Sequence, residues 1–266
     1  MDQNIDRIPA QILDRLSGRS GRINAVGMSG AKVVVYPDMV LKCEPRSEES
    51  DNEYQMLCWL QGKLPVPAVL DFVCEDGVNY LLMSRLAGVM SCDRAYLTHP
   101  SLLIPLMAES LRALWAVEPA GCPYMNDLSK KLRKARERVT AGLVQMEDAE
   151  PETYGPNGFR NPMELLCWLE SHRPEESLVF SHGDFCLPNL FLQDGRISGF
   201  LDLGRAGLAD PYQDLALGYR SLKHNSDGTY DGIRYSGFSD DLLFRALGME
   251  PDWEKVRYYI LLDELF

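Results

Sequence analysis

Residues 33–36, Val33-Val34-Val35-Tyr36, form a β-branched and aromatic run that stops at Pro37-Asp38, and Met39-Val40-Leu41-Lys42-Cys43 resumes it. Two such runs around a Pro-Asp turn predict a hairpin. Residues 47–61 then change period: Tyr54, Leu57 and Cys58 mark an apolar helical face, with Glu48, Glu49 and Asp51 in the first turn, where the helix dipole favours them. Gly62 ends this helix, and Pro65-Val66-Pro67 is a rigid connector. Residues 69–74 and 78–83 read as two strands around Glu75-Asp76-Gly77, and strand character stops after Ser84. From about residue 93 the period is helical. Residues 101–117 are apolar at helical spacing, with Leu102, Leu106, Leu111 and Leu114 among the core candidates, residues 126–145 are amphipathic, and Asn161-Pro162 opens a helix through Ser171. Residues 179–201 are strand-like with turns, and helices return from Pro211 to Phe266. Strands followed by helices predict an α+β, two-lobe fold. The expected division is a β-rich lobe over 1–84, a hinge over 85–92 and a helical lobe over 93–266.

Composition narrows the class. The 266 residues are 45% apolar and 25% charged, which excludes a disordered or fibrous chain. No apolar run approaches the roughly 18–20 residues of a membrane span. The acidic start, Met1-Asp2-Gln3-Asn4-Ile5-Asp6, lacks the basic and apolar stretches of a signal peptide, so a cytoplasmic location is expected. Lys and Arg number 27 against 39 Asp and Glu, a net charge of −12, which argues against a nucleic-acid partner and admits a cationic one. Seven Cys without a C-x-x-C pair, and four His without ligand spacing, make a transition-metal site unexpected.

The most informative segment is His182-Gly183-Asp184-Phe185-Cys186-Leu187-Pro188-Asn189. An Asp followed five residues later by an Asn has the spacing of a kinase catalytic loop. Phosphoryl transfer needs a carboxylate to orient and deprotonate the attacking hydroxyl, and an oxygen ligand for magnesium on the phosphates. A hairpin around Asp194-Gly195 then delivers Asp202-Leu203-Gly204, a second carboxylate suited to magnesium. Either motif alone is commonplace; the two joined by a hairpin are specific. Upstream, Gly27-Met28-Ser29-Gly30-Ala31 lies between strand-like segments, Lys42 sits on the next strand, and Glu53 lies eleven residues on, in the helix. A strand Lys paired with a helix Glu positions nucleotide phosphates in kinases. Residues 147–159 are a loop in which Glu147, Asp148, Glu150 and Glu152 cluster; alone it reads as a solvated connector.

The chain resembles the aminoglycoside 3′-phosphotransferase family, kinases that phosphorylate antibiotic hydroxyls on a protein-kinase-like fold. The resemblance runs over nearly the whole chain. It is carried by residues 27–33, 59–67 and 81–84, by Phe180-Ser181-His182-Gly183-Asp184, by residues 202–210, and above all by Pro251-Asp252-Trp253-Glu254-Lys255 and Asp263-Glu264-Leu265-Phe266. It implies Asp184 as catalytic base, Asn189 and Asp202 as magnesium ligands, and Lys42 with Glu53 as the phosphate-positioning pair. It implies nucleotide contacts from Ser29 and Gly30 in the phosphate loop, and from Ser84 and Leu86 at the hinge. The drug's ammonium groups would meet Glu147, Glu150 and Glu152, then Asp263, Glu264 and the terminal carboxylate of Phe266, with Arg205 shaping the substrate side. Clustered carboxylates suit a polycationic sugar on physical grounds as well. The sequence departs from the family at Val40, two residues before Lys42, where an aromatic residue would stack on adenine; this leaves open ATP against GTP. Residues 224–237 form a longer loop than the family pattern, of open role.

The expected function is therefore magnesium-dependent transfer of the ATP γ-phosphate to an aminoglycoside hydroxyl, the 3′ one, conferring resistance. The alternative is a kinase of another small hydroxyl compound, such as choline, a sugar or another antibiotic. A binding module is disfavoured by Asp184, Asn189, Asp202 and Lys42 occurring together, and a protein kinase by the lack of an A-P-E segment.

Overall fold

The computed structural model describes residues 8–24 and 31–266. Along the chain run α1 (Ala10–Leu16), β1 (Arg22–Asn24), β2 (Lys32–Val35), β3 (Met39–Pro45), α2 (Glu48–Leu60), β4 (Val69–Glu75), β5 (Val78–Ser84) and β6 (Val89–Met90). Next come α3 (Arg94–Leu97), α4 (Pro100–Trp115), α5 (Leu128–Thr140), α6 (Pro162–Ser171), β7 (Val179–Ser181), β8 (Leu190–Gln193), β9 (Arg196–Phe200) and β10 (Gly207–Ala209). The chain closes with α7 (Pro211–Ser226), α8 (Leu242–Leu247) and α9 (Trp253–Asp263). No helix among the described residues is long and apolar enough to cross a membrane.

The chain falls into two compact units: residues up to Met90 with Asn189–Ala206, and Ser91–Pro188 with Gly207–Phe266. The sequence reading placed 189–206 with the helical lobe. The structure joins it to the first unit, because β8 pairs with β6 and Asn52 of α2 holds the Gly204 and Ala206 carbonyls.

The first unit is built on an antiparallel sheet of order β1-β2-β3-β5-β4. The expected hairpin is β2 against β3, with Val33 opposite Lys42 and Val35 opposite Val40. β5, buried almost throughout, is the inner strand beside β3. One core joins Ile12 and Leu16 of α1 to Tyr36, Met39, Leu41, Cys43, Val78, Tyr80 and Leu82. Burying a Leu or Ile side chain there stabilises by about 1.5–3 kcal/mol. The seven-residue α1 was not expected, being too short for a periodic signal, and the two-residue β6 lies beyond the point where strand character ends.

The second unit is helical around one antiparallel pair, β7 with β10. Its helices start where short polar side chains cap them. Asp127, Asn161, Asp210 and Asp252 accept backbone N–H bonds in the first turns of α5, α6, α7 and α9, and Pro occupies the first position of α6 and α7, where no donor is lost. α4 buries Leu103, Leu106, Met107, Leu111 and Leu114, and α9 buries Val256, Tyr259, Leu261 and Leu262. The expected helix over 126–145 stops at Thr140, and Gly142 takes the left-handed turn that follows. The final helical stretch is interrupted after Ser226; α8 begins only at Leu242.

Candidate active site

In the first unit the site is assembled around Lys42. β3 presents it between Val33 of β2 and Leu81 of β5. Its ammonium lies 2.7 Å from Glu53, 3.1 Å from Asp202 and 3.4 Å from Glu44. Glu53 is delivered by α2, which starts firmly: Ser47 and Ser50 bond each other's backbone N–H in a capping box, and three carboxylates follow in the first turn. Lys42 and Glu53 are both buried. Burial works to lower the Lys42 ammonium, but the charges of Glu53, Asp202 and Glu44 outweigh it and hold the group protonated. Burial also pushes the Glu53 carboxyl up, to about 7, against the pull of Lys42.

Asp202 stands at a left-handed backbone position, φ 54°, and its side chain is 56% exposed, so its carboxylate reaches Lys42 with its remainder facing outward. Behind it, Gly204 lies flat on α2: a Cβ there would come within 2.9 Å of the Glu49 carbonyl. The Asn52 side-chain amide donates to the carbonyls of both Gly204 and Ala206, each at 2.9 Å. Arg205 pairs with Glu49 of α2 at 3.4 Å. Asn189, the other expected metal ligand, is buried in the turn just before β8, where its carbonyl accepts from Leu201. Ser84 ends β5 and is stapled to Ala68 through both its N–H and its hydroxyl; Leu86 follows and packs against Gly199. Ser29 and Gly30 lie outside the described residues.

In the second unit Asp184 follows β7 on a tightly held loop. The holder is Asp214, fully buried on α7, which sequence reasoning missed. Its carboxylate accepts from the Ser181 hydroxyl (2.9 Å) and from the backbone N–H groups of Gly183 (2.9 Å) and His182 (3.1 Å). Burial pushes the Asp214 carboxyl up, opposed by His182 and these bonds. Gln213 donates to the Gly183 carbonyl, the Ser221 hydroxyl accepts from Leu187, and Ser91 donates to the Leu187 carbonyl. Gly218 lets α7 approach Phe185: a Cβ would sit 2.9 Å from the ring. Asp184 is thus carried on a backbone fixed at both ends, which is the preorganisation an orienting base needs. The trace in the sequence is an acid at position 214 directly before the apolar run Leu215-Ala216-Leu217.

The second unit also brings Glu150, Asp263 and Glu264 around one guanidinium that the sequence reading did not single out. Arg220 of α7 pairs with Asp263, lies 3.4 Å from Glu264 and 4.0 Å from Glu150. The Glu150 N–H also donates to the Glu264 carboxylate. Three carboxyl groups stand against one guanidinium, so the group keeps net negative charge whether or not Glu264 holds a proton. Glu147 and Glu152 lie exposed on the same loop. Arg138 holds the Leu265 and Phe266 carbonyls at 2.8 and 2.9 Å.

Burial pushes Glu264 up to about 7, while Arg220 pulls it down. Between the ordinary value of 4.5 and about 7 the folded protein therefore holds a proton that the unfolded chain has released. Raising the pH through this window removes stability. Thermal melts of wild type and Glu264→Gln from about pH 5 to 7.5 should differ in slope, the variant falling less; parallel curves would refute the assignment.

Residues 20–259 match the phosphotransferase enzyme family. An aminoglycoside 3′-phosphotransferase of Enterococcus faecalis is 41% identical over 81% of this chain and 78% of its own. That of Niallia circulans is 38% identical over the whole of both chains. Among solved structures, an aminoglycoside phosphotransferase from Streptomyces rimosus in complex with ADP and streptomycin superposes with a TM-score of 0.75, at 27% identity, over 90% of this chain and 94% of that one. Their agreement from β1 to α9 settles the fold as the kinase-like α+β one, and the chain belongs to the phosphotransferase enzyme family, alongside the aminoglycoside 3′-phosphotransferases.

Proposed function

We propose that the protein transfers the γ-phosphate of ATP to the 3′-hydroxyl of aminoglycoside antibiotics in the cytoplasm, and so confers resistance. The observation that carries the reading is the buried Lys42 ammonium held between Glu53 and Asp202. A cation fixed in this way is suited to the triphosphate of a nucleotide. Asp184 accepts the hydrogen of the attacking hydroxyl and aims its oxygen at the γ-phosphorus. The new O–P bond forms as the bond to the β-phosphate oxygen breaks, and the products are ADP and the phosphorylated drug. Little covalent help is required in such a loose transition state, so positioning and charge carry the rate.

Asn189 and Asp202 offer an amide oxygen and a carboxylate. These hard donors fit magnesium, which takes one or two protein oxygens and completes its shell with phosphate and water. They would hold the ion, which when bound neutralises charge on the phosphates. Glu150, Asp263 and Glu264 retain net negative charge after Arg220 is counted, and this supports their receiving the drug's ammonium groups. The relatives named for the 3′ position favour that hydroxyl.

The test is ADP release by the purified chain with ATP and a panel of 2-deoxystreptamine drugs, with NMR assignment of the product. The expected result is drug-dependent release, phosphate at the 3′ position, loss of activity with EDTA and recovery with magnesium. No drug-dependent release would overturn the reading; faster turnover of choline or a free sugar would favour the kinase of another hydroxyl compound.

A further inference from the structure

We infer that the exposed ring of Tyr230 is a wall of the drug site, on which an ammonium-bearing sugar ring of the aminoglycoside lies. The inference rests on the reading of Glu150, Asp263 and Glu264 as drug carboxylates and adds an uncharged surface to it. Tyr230 belongs to the loop between α7 and α8, whose role the sequence left open, and it is 63% exposed. Its hydroxyl lies 3.4 Å from Nδ1 of His224, and the two rings meet edge to face at 5.3 Å. His224 stands in the last turn of α7, its side chain mostly buried, with Nε2 3.2 Å from Glu150. The aromatic ring is thereby tied to a carboxylate of the acidic group.

Burial pushes the Tyr230 hydroxyl up, Arg220 pulls it down, and Glu150, Cys186 and Asp227 push it further. The hydroxyl is therefore the covered end of the side chain. It lies within reach of Arg220 and Glu150, and of Cys186, two residues after Asp184. The ring thus stands where the acidic group and the loop carrying Asp184 come together. Its own loop holds it there. Asp227 accepts from the Thr229 N–H at 2.9 Å and from the Thr229 hydroxyl at 2.6 Å. The Gly232 N–H donates to the Gly228 carbonyl at 3.0 Å, and the Tyr235 N–H closes the loop onto the Ser226 carbonyl at 2.8 Å. A ring fixed before the ligand arrives loses little freedom on binding. The face of a phenol ring is negative and attracts an ammonium, while its apolar body covers the C–H face of a sugar. The carboxylates take the drug's other charges.

The test is the KM for a fixed aminoglycoside and for ATP, at one pH and salt concentration, in wild type, Tyr230→Leu, Tyr230→Phe, Glu150→Gln and Tyr230→Leu with Glu150→Gln. Tyr230→Leu keeps an apolar side chain and removes the π face. It is expected to raise the drug KM about two- to fivefold, the worth of an exposed cation–π contact, without raising the ATP KM. Tyr230→Phe, which keeps the ring, should recover most of that loss. The rise should persist in the Glu150→Gln background, since ring and carboxylate meet the drug separately. Tyr230→Ala serves as a second ringless variant if the Leu protein folds poorly. An unchanged drug KM in both ringless variants, where Glu150→Gln itself raises it, would overturn the inference alone. So would a rise that vanishes in the Glu150→Gln background, because Tyr230 would then act by bracing His224 and Glu150. A Phe variant as weak as the Leu one would overturn it too, by making the hydroxyl the active group. A Glu150→Gln enzyme with unchanged drug KM would overturn the drug-site reading, and this inference with it.

Discussion

Asp184→Ala should lower kcat by about 10²–10⁴-fold, the usual worth of a positioned general base, with little change in ATP affinity. The separation follows from where the groups are carried. Asp184 belongs to the loop pinned by Asp214, Gln213 and Ser221, whereas Lys42, Glu53 and Asp202 are held by the sheet and α2. Steady-state kinetics with nucleotide binding by titration calorimetry checks both halves. Near-normal turnover in Asp184→Ala would end the kinase mechanism proposed here.

Lys42→Met is expected to have the second largest effect, and it should appear in stability as well as in rate. Removing one partner of a buried ion pair costs about 3–5 kcal/mol, because the other charge is left without compensation. For a protein of this size that lowers Tm by roughly 10 °C. Glu53 has an escape: burial already lifts its carboxyl to about 7, and without Lys42 it takes up a proton more readily still. The Lys42→Met protein should therefore regain stability as pH falls from about 8 to 6. Lys42→Met with Glu53→Gln should recover much of the lost Tm while kcat/KM for ATP stays depressed by about 10–200-fold, the loss of a charge-assisted phosphate contact. Recovery of activity in that double variant would show that Lys42 acts through stability rather than on the phosphates.

Much of the fold was legible because the local signals agree with the global one. The Pro37-Asp38 turn, the carboxylates opening α2 and the Asn161-Pro162 start each point to the element that forms. The order of Lys42, Glu53, Asp184, Asn189 and Asp202 in the chain was readable as a constellation because kinase chemistry fixes which residue types must meet. Asp214, Arg220 and His224 were not legible for a different reason. Each acts on backbone or side chains more than 30 residues away in sequence, and nothing beside them in the chain marks the partner. The acidic loop shows the same limit: four carboxylates are equivalent in sequence, and the turn of the chain at Glu150 makes that one meet Arg220.

The joint between α2 and the Asp202 turn has a consequence for control. Protein kinases are switched by moving the helix that carries the Glu, which breaks its bond to the strand Lys. A switch of that kind needs two arrangements of nearly equal free energy. Here Gly204 rests on the Glu49 carbonyl, and Asn52 grips the chain on both sides of Arg205 from within the same helix. Swinging α2 outward would strand two carbonyls and an amide in a buried setting, each costing about 1–3 kcal/mol. The chain is thereby committed to its working arrangement from the moment it folds. Protection of a cell against the drug would then scale with the number of folded copies it holds.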